Sequence, residues 1–191
     1  MTHKLHGNWD SGLAFDLHTV SSTHLGVDEH GHDRFENVRS EMGELVFQLK
    51  YRGDKSAAEK IAKLTDDIGG IEDFDFIVPI PATNKNRPYQ PVDLISLAIG
   101  KRRGVKVLLG ALSNDGKEEL KSVTDPVARD ELLAEAIGVV EPEQFNGKKV
   151  LLIDDLYRSG STLKVATKNL REKGKPAKVS VFTMTKTRSN R

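Results

Sequence analysis

The sequence predicts an α/β fold, a mostly parallel central sheet with helices on both faces. Three observations carry this. From residue 74 onward strand-like and helix-like segments alternate, the order that builds parallel sheets through helical crossovers. Val150, Leu151, Leu152 and Ile153 form an unbroken apolar run of strand length, which fits a strand covered on both faces. That run meets two carboxylates, Asp154 and Asp155, then small and hydroxyl-bearing residues, then a helical pattern with Leu163, Ala166 and Leu170 on one face.

The elements follow in order. Residues 1–40 hold all six histidines and the only tryptophan without a sustained period, and read as an appended irregular segment before a core spanning 41–191. A helix after Ser40 carries Leu45, Val46 and Leu49 inward and ends at Tyr51-Arg52-Gly53-Asp54. A second runs from about Ser56 to Ile68 with Ala57, Ile61, Leu64 and Ile68 at core spacing, stopped by Gly69-Gly70. Phe74 to Pro81 reads as a strand, Pro91 to Lys101 as a helix with proline in its first turn, and Val105 to Leu109 as a strand. Asp125-Pro126 reads as an N-cap and first helical residue, opening a helix to about Ala136. Lys178 to Thr185 supplies the last strand.

Composition sets limits. The chain has 191 residues and no cysteine, which suits one domain and excludes disulfides, thiolate zinc sites and cysteine nucleophiles. No long apolar stretch or secretory pattern is present, so the expectation is a soluble, cytoplasmic protein that does not enter membranes. Basic and acidic residues number 29 and 28, for a net charge of +1, which gives little support to a general nucleic-acid surface.

Asp154 and Asp155 project to opposite sides of an extended chain, so one can meet a ligand while the other faces elsewhere. The N–H groups of Gly160, Ser161 and Thr162, with the hydroxyls of Ser159 and Thr162, open a helix and can hold a phosphate. The plainer alternative is a solvated turn.

The stretch from Val150 to Thr162 resembles the PRPP-binding motif of the type I phosphoribosyltransferases: apolar residues, two acids, two variable residues, then a Ser/Thr-Gly loop. Three further segments are similar, in the same order, to the ComF-like members of that group. They are Leu49-Lys50-Tyr51-Arg52-Gly53-Asp54; Val78-Pro79-Ile80-Pro81 with Arg87-Pro88-Tyr89-Gln90; and Thr124 with Ala128-Arg129-Asp130-Glu131-Leu132. The likeness covers roughly residues 45 to 185.

This resemblance implies the type I phosphoribosyltransferase fold with residues 1–40 as a small hood over the site. It implies PRPP and a nitrogenous small-molecule acceptor as ligands and Mg²⁺ as cofactor, and it allows a homodimer. Asp154 and Asp155 would meet the ribose hydroxyls and the magnesium. Tyr157, Arg158, Ser159, Gly160, Ser161 and Thr162 would bind the 5-phosphate. Thr83, Asn84, Lys85 and Arg87 would face pyrophosphate, with Arg87 joining the two acids in catalysis.

Three departures matter. Arg158 stands where purine-salvage enzymes carry an acid, and an arginine cannot serve as a base. Pro88 replaces a glycine and restricts the loop at φ. The cysteine zinc finger of many ComF-like proteins is missing; His24, His30 and His32 with Asp28 and Asp33 offer ligands, yet their spacing matches no established closed site and reads as an exposed loop. Trp9, Phe15 and Phe35 can stack on a base or form a small satellite core. The competing functions are a non-catalytic PRPP or nucleotide sensor and a module handling single-stranded DNA through Arg102, Arg103, Lys106 and the basic tail from Lys186 to Arg191.

Overall fold

The computed structural model describes residues 1–115, 132 and 136–188. Its elements in chain order are strands β1 (His3–Lys4), β2 (Ser11–Leu17), β3 (Thr19–Val27) and β4 (Asp33–Arg39), helices α1 (Glu41–Tyr51) and α2 (Ala57–Leu64), strand β5 (Phe76–Pro79) and helix α3 (Pro91–Arg103). Strands β6 (Lys106–Val107), β7 (Leu112–Asn114), β8 (Ile137–Val139) and β9 (Lys149–Tyr157), helix α4 (Ser161–Gly174) and strand β10 (Lys178–Lys186) complete it. The main sheet has the order β1-β2-β10-β9-β5-β6. All its neighbours pair in parallel except β1 against β2.

Strand β9 lies at the centre, with Val150 opposite Val179 and Phe76, and Ile153 opposite Phe182 and Pro79. Both faces are covered. Leu151 and Ile153 pack with Val46, Leu49, Ile61, Ile95 and Ile99 from α1, α2 and α3. Val150 and Leu152 pack with Leu163, Ala166 and Leu170 of α4. Leu152 and Ile153 are fully enclosed, and burial of such side chains stabilises by about 1.5–3 kcal/mol each.

Each helix starts for a local reason. Ser40 caps α1: its Oγ accepts from the Gly43 N–H at 3.0 Å and donates to the Leu17 carbonyl at 2.5 Å, tying the helix to the end of β2. Gly43 permits that approach, since a Cβ there would lie 2.2 Å from the His18 carbonyl oxygen. Proline opens α3, and Gly104 at φ +67° closes it.

Two expectations change. Residues 1–40 are ordered into four strands rather than irregular structure. The first part joins the body: β2 pairs with β10, Trp9 and Ala14 enter the main core, and Asp10 accepts from the Val179 N–H at 2.8 Å and from Arg171 at 2.9 Å. Of these four strands, β3 and β4 form an antiparallel hairpin that stands apart from the main sheet. Strand β9 also continues past the apolar run to Tyr157, so the two acids lie within the strand and not at its end. The small β7–β8 ladder was not anticipated. The helix expected over 125–136, with Thr124 and the 128–132 segment, lies outside the described residues apart from Leu132 and Ala136.

Candidate functional site

Strand alternation separates the two carboxylates. Asp155 follows Leu151 and Ile153 toward α1, where its Oδ2 lies 2.6 Å from Lys50 Nζ. The Asp155 side chain is 8% exposed and that of Lys50 21%, so the ion pair is largely out of water. Thr185 Oγ1 donates to the Asp155 carbonyl at 2.9 Å. The same hydroxyl lies 3.3 Å from His18 Nδ1, and because its proton is already donated, His18 Nδ1 carries the proton in that contact. Burial lowers the His18 pKa, with Arg39, Lys50 and Arg158 acting in the same direction and Asp155 against it. His18 is therefore neutral at pH 7.

Asp154 takes the other side. Its Oδ1 accepts the Asp155 N–H at 2.8 Å, and it stands in register with Thr183, whose buried Oγ1 has no hydrogen-bond partner among the described residues. Burial, reinforced by the neighbouring Asp155 charge, pushes the Asp154 carboxyl up to about 8. The pair thus differs in surroundings: Asp155 has the Lys50 ammonium beside it, whereas Asp154 favours its proton.

The loop after β9 is built around an inward tyrosine. Tyr157 is 6% exposed and meets Trp9 edge-on, with ring centroids 6.5 Å apart. Gly160 turns at φ +77°, and a Cβ there would fall 2.6 Å from Tyr157 Cε2. Ser159 Oγ lies 3.1 Å from Ser161 Oγ and accepts weakly from the Ser161 N–H at 3.4 Å. Gly160 has no side chain to cap α4, so beyond the weak Ser159 contact no N-cap side chain meets the positive dipole end of the helix, and exposed Arg158 and Ser159 flank it. Of the six residues expected at the 5-phosphate, Arg158 and Ser159 are exposed at this turn, Ser161 and Thr162 are half-buried at the start of α4, and Gly160 is buried. The Tyr157 side chain instead supports it from below.

The loop after β5 sits beside the acids because Pro79 pairs with Ile153 and the Ile80 N–H bonds the Ile153 carbonyl at 2.8 Å. Thr83, Asn84 and Lys85 are exposed. Asn84 orders the turn, accepting from the Asn86 N–H at 3.0 Å and from Gln90 Nε2 at 3.2 Å. Lys85 faces Asp115 at 3.7 Å. Arg87 alone of these turns into a cleft of about 210 Å³ lined by Lys50, Tyr51, Gly53, Arg87, Pro88 and Tyr89. Its guanidinium carbon is 5.7 Å from the Tyr51 ring centre, and Tyr89 donates its hydroxyl to the Leu49 carbonyl. Two segments distant in the chain meet here, 49–54 and 87–90.

Among known proteins, no family model matches the chain. The competence protein ComFC of Bacillus subtilis is 30% identical over 152 residues, covering 75% of this chain and 59% of that protein. The amidophosphoribosyltransferase of Pseudomonas aeruginosa is 28% identical over 129 residues, 68% of this chain and 23% of that one. Among solved structures, the glutamine PRPP amidotransferase of B. subtilis complexed with ADP and GMP aligns with a TM-score of 0.52 over 82% of this chain and 34% of that chain, at 17% identity. This is a ComF-like protein with the type I phosphoribosyltransferase fold. It spans less than two thirds of the length of each of these relatives.

In the ComF-like chain several other candidates find structural roles. Arg102 pairs with Asp66, and Arg103 donates to the carbonyls of Thr65, Asp66 and Ile68 at 2.6, 2.8 and 2.7 Å, so neither forms a free basic footprint. Lys106 sits over the Phe76 ring at 5.9 Å. The hairpin histidines pair locally, His24 with Asp33 at 2.9 Å, His32 with Asp28 at 3.7 Å and His30 with Glu29 at 3.8 Å. Among the described residues no three His, Asp or Glu side chains converge as metal ligands. Trp9 joins the main core, Phe15 packs against the helical side, and Phe35 stays 53% exposed beside His24. No described helix is long and apolar enough to cross a membrane. Lys50 and His18 border the acid pair and were not among the sequence candidates; Lys50 lies inside a matching segment, in the last turn of a helix where a cation is ordinary.

Proposed function

We propose that this chain is a cytoplasmic protein that binds PRPP with Mg²⁺ and transfers its phosphoribosyl group to a nitrogenous acceptor, releasing pyrophosphate. The supporting observation is the convergence, at the carboxyl end of one parallel sheet, of an acid pair, an uncapped helix N-terminus and an arginine-bearing cleft. The first turn of α4 with Ser159 and Ser161 holds the 5-phosphate. Asp154 and Asp155 take the ribose hydroxyls, and Arg87 receives the diphosphate through its fork of donors.

The acid pair fits magnesium only in part: the two side chains leave opposite sides of β9 and Asp154 favours its proton, so they make no closed cage, and an ion there would complete its shell with substrate phosphates. Bound there, Mg²⁺ would offset charge on the departing diphosphate. The acceptor nitrogen forms its bond to the anomeric carbon as the bond to the diphosphate oxygen breaks, with positive charge building on the ribose beside the acid pair.

One observation favours a second reading, a PRPP-binding sensor without turnover. Arg158 occupies the loop position where an acid would act on the acceptor, and it can accept no proton. Pyrophosphate release, followed across nucleobases and amines with PRPP and Mg²⁺, separates the two. Release with one acceptor class supports the transferase. PRPP binding without release from any acceptor assigns the sensor, and no PRPP binding overturns both.

A further inference from the structure

Lys50 borders two parts of the site at once. Its Nζ lies 2.6 Å from the buried Asp155 carboxylate, and the residue also lines the cleft shared with Tyr51, Arg87 and Tyr89. That cleft contains two cations and two tyrosines and no carboxylate among its lining residues. Lys85 has Asp115 nearby, whereas Arg87 forms no ion pair among the described residues. The cleft is therefore short of negative charge, which an anionic ligand would supply.

We propose that Lys50 is a ligand-exchanging cation: it neutralises Asp155 when the cleft is empty, and turns to the diphosphate oxygens, beside Arg87, when the ribose hydroxyls engage Asp155. This rests on the PRPP reading above. A buried carboxylate cannot be left without a partner cheaply, so Lys50 can leave only as the ligand takes its place. The four-carbon stem and compact ammonium suit such a move, since the lysine sits in the last turn of α1 next to the open turn at Gly53. Lys50 thereby couples the ribose half of the site to the diphosphate half.

Calorimetry on the full chain with Mg²⁺, using inorganic pyrophosphate and ribose 5-phosphate as separate probes, tests this. Lys50→Met should weaken pyrophosphate binding by about tenfold or more, the scale of one lost charge-assisted hydrogen bond. Ribose 5-phosphate should bind Lys50→Met as well as the native chain or better, because its hydroxyls no longer displace an ion pair. Lys50→Arg should recover part of the pyrophosphate affinity. If Lys50→Met does not fold, the double variant Lys50→Met with Asp155→Asn is compared with Asp155→Asn alone, and the added loss must again fall on pyrophosphate. Unchanged pyrophosphate binding overturns the proposal, as does an equal loss for both probes, which would mark Lys50 as structural only. A native chain that binds neither probe overturns the PRPP reading itself, and this proposal with it.

Discussion

Asp155 and Asp154 are neighbours with opposite electrostatic surroundings, and each makes a prediction. Removing the cation beside Asp155 leaves a carboxylate that is 8% exposed without its ion-pair partner, so Lys50→Met should destabilise by about 1–3 kcal/mol in urea unfolding. Adding Asp155→Asn should return most of that loss; a double variant as weak as the single would contradict the pairing. Asp154 runs the other way. Its carboxyl rises from 3.8 to about 8 on folding, so between those values the folded chain holds a proton that the unfolded chain lacks. The stability from that protonation is complete below pH 3.8 and is lost as pH climbs toward 8. Asp154→Asn should therefore melt near the native chain at pH 4 and above it at pH 8, and a native advantage at pH 8 would refute the assignment.

At the level of elements, the β9-loop-α4 unit depends on one glycine. Gly160→Ala faces a left-handed φ that costs about 1–2 kcal/mol and a ring carbon 2.6 Å from the new methyl group. The variant should lower the melting temperature and lose inorganic-phosphate binding, while Ser159→Ala should keep the fold. The apolar run from Val150 to Ile153 made this unit legible in the sequence, because it matches a strand buried on both faces. The strand's extension to Tyr157 was not legible. Its last residues are held by pairing to Thr183, Thr185 and Lys186 on β10 and by Lys50 on α1, partners remote in sequence that no local period records. Lys50 escaped notice for the same reason, since a lysine in a last helical turn is already accounted for by the dipole.

On the scale of the whole molecule, residues 1–40 divide between body and appendage, a division invisible to local patterning. Leu5, Trp9 and Ala14 pack into the main core only because β10, at the far end of the chain, runs beside β2. The β3–β4 hairpin leaves Val20, Leu25, Val27, Phe35 and Val38 exposed, and its two ends are already joined through Ser40 to Leu17 and His18. Replacing residues 20–38 with a short glycine-serine turn should thus change the melting temperature little; a collapse of the fold would show that the hairpin carries core stability. If the hairpin is a hood over the site, the same deletion should reduce acceptor recognition and spare PRPP binding. The central claim is the PRPP site itself, and calorimetric titration of PRPP with Mg²⁺ into the native chain and into Asp154→Asn and Asp155→Asn tests it most directly. Saturable binding by the native chain that falls at least tenfold in both variants is the expected result, and no native binding, or equal binding by all three, would contradict it.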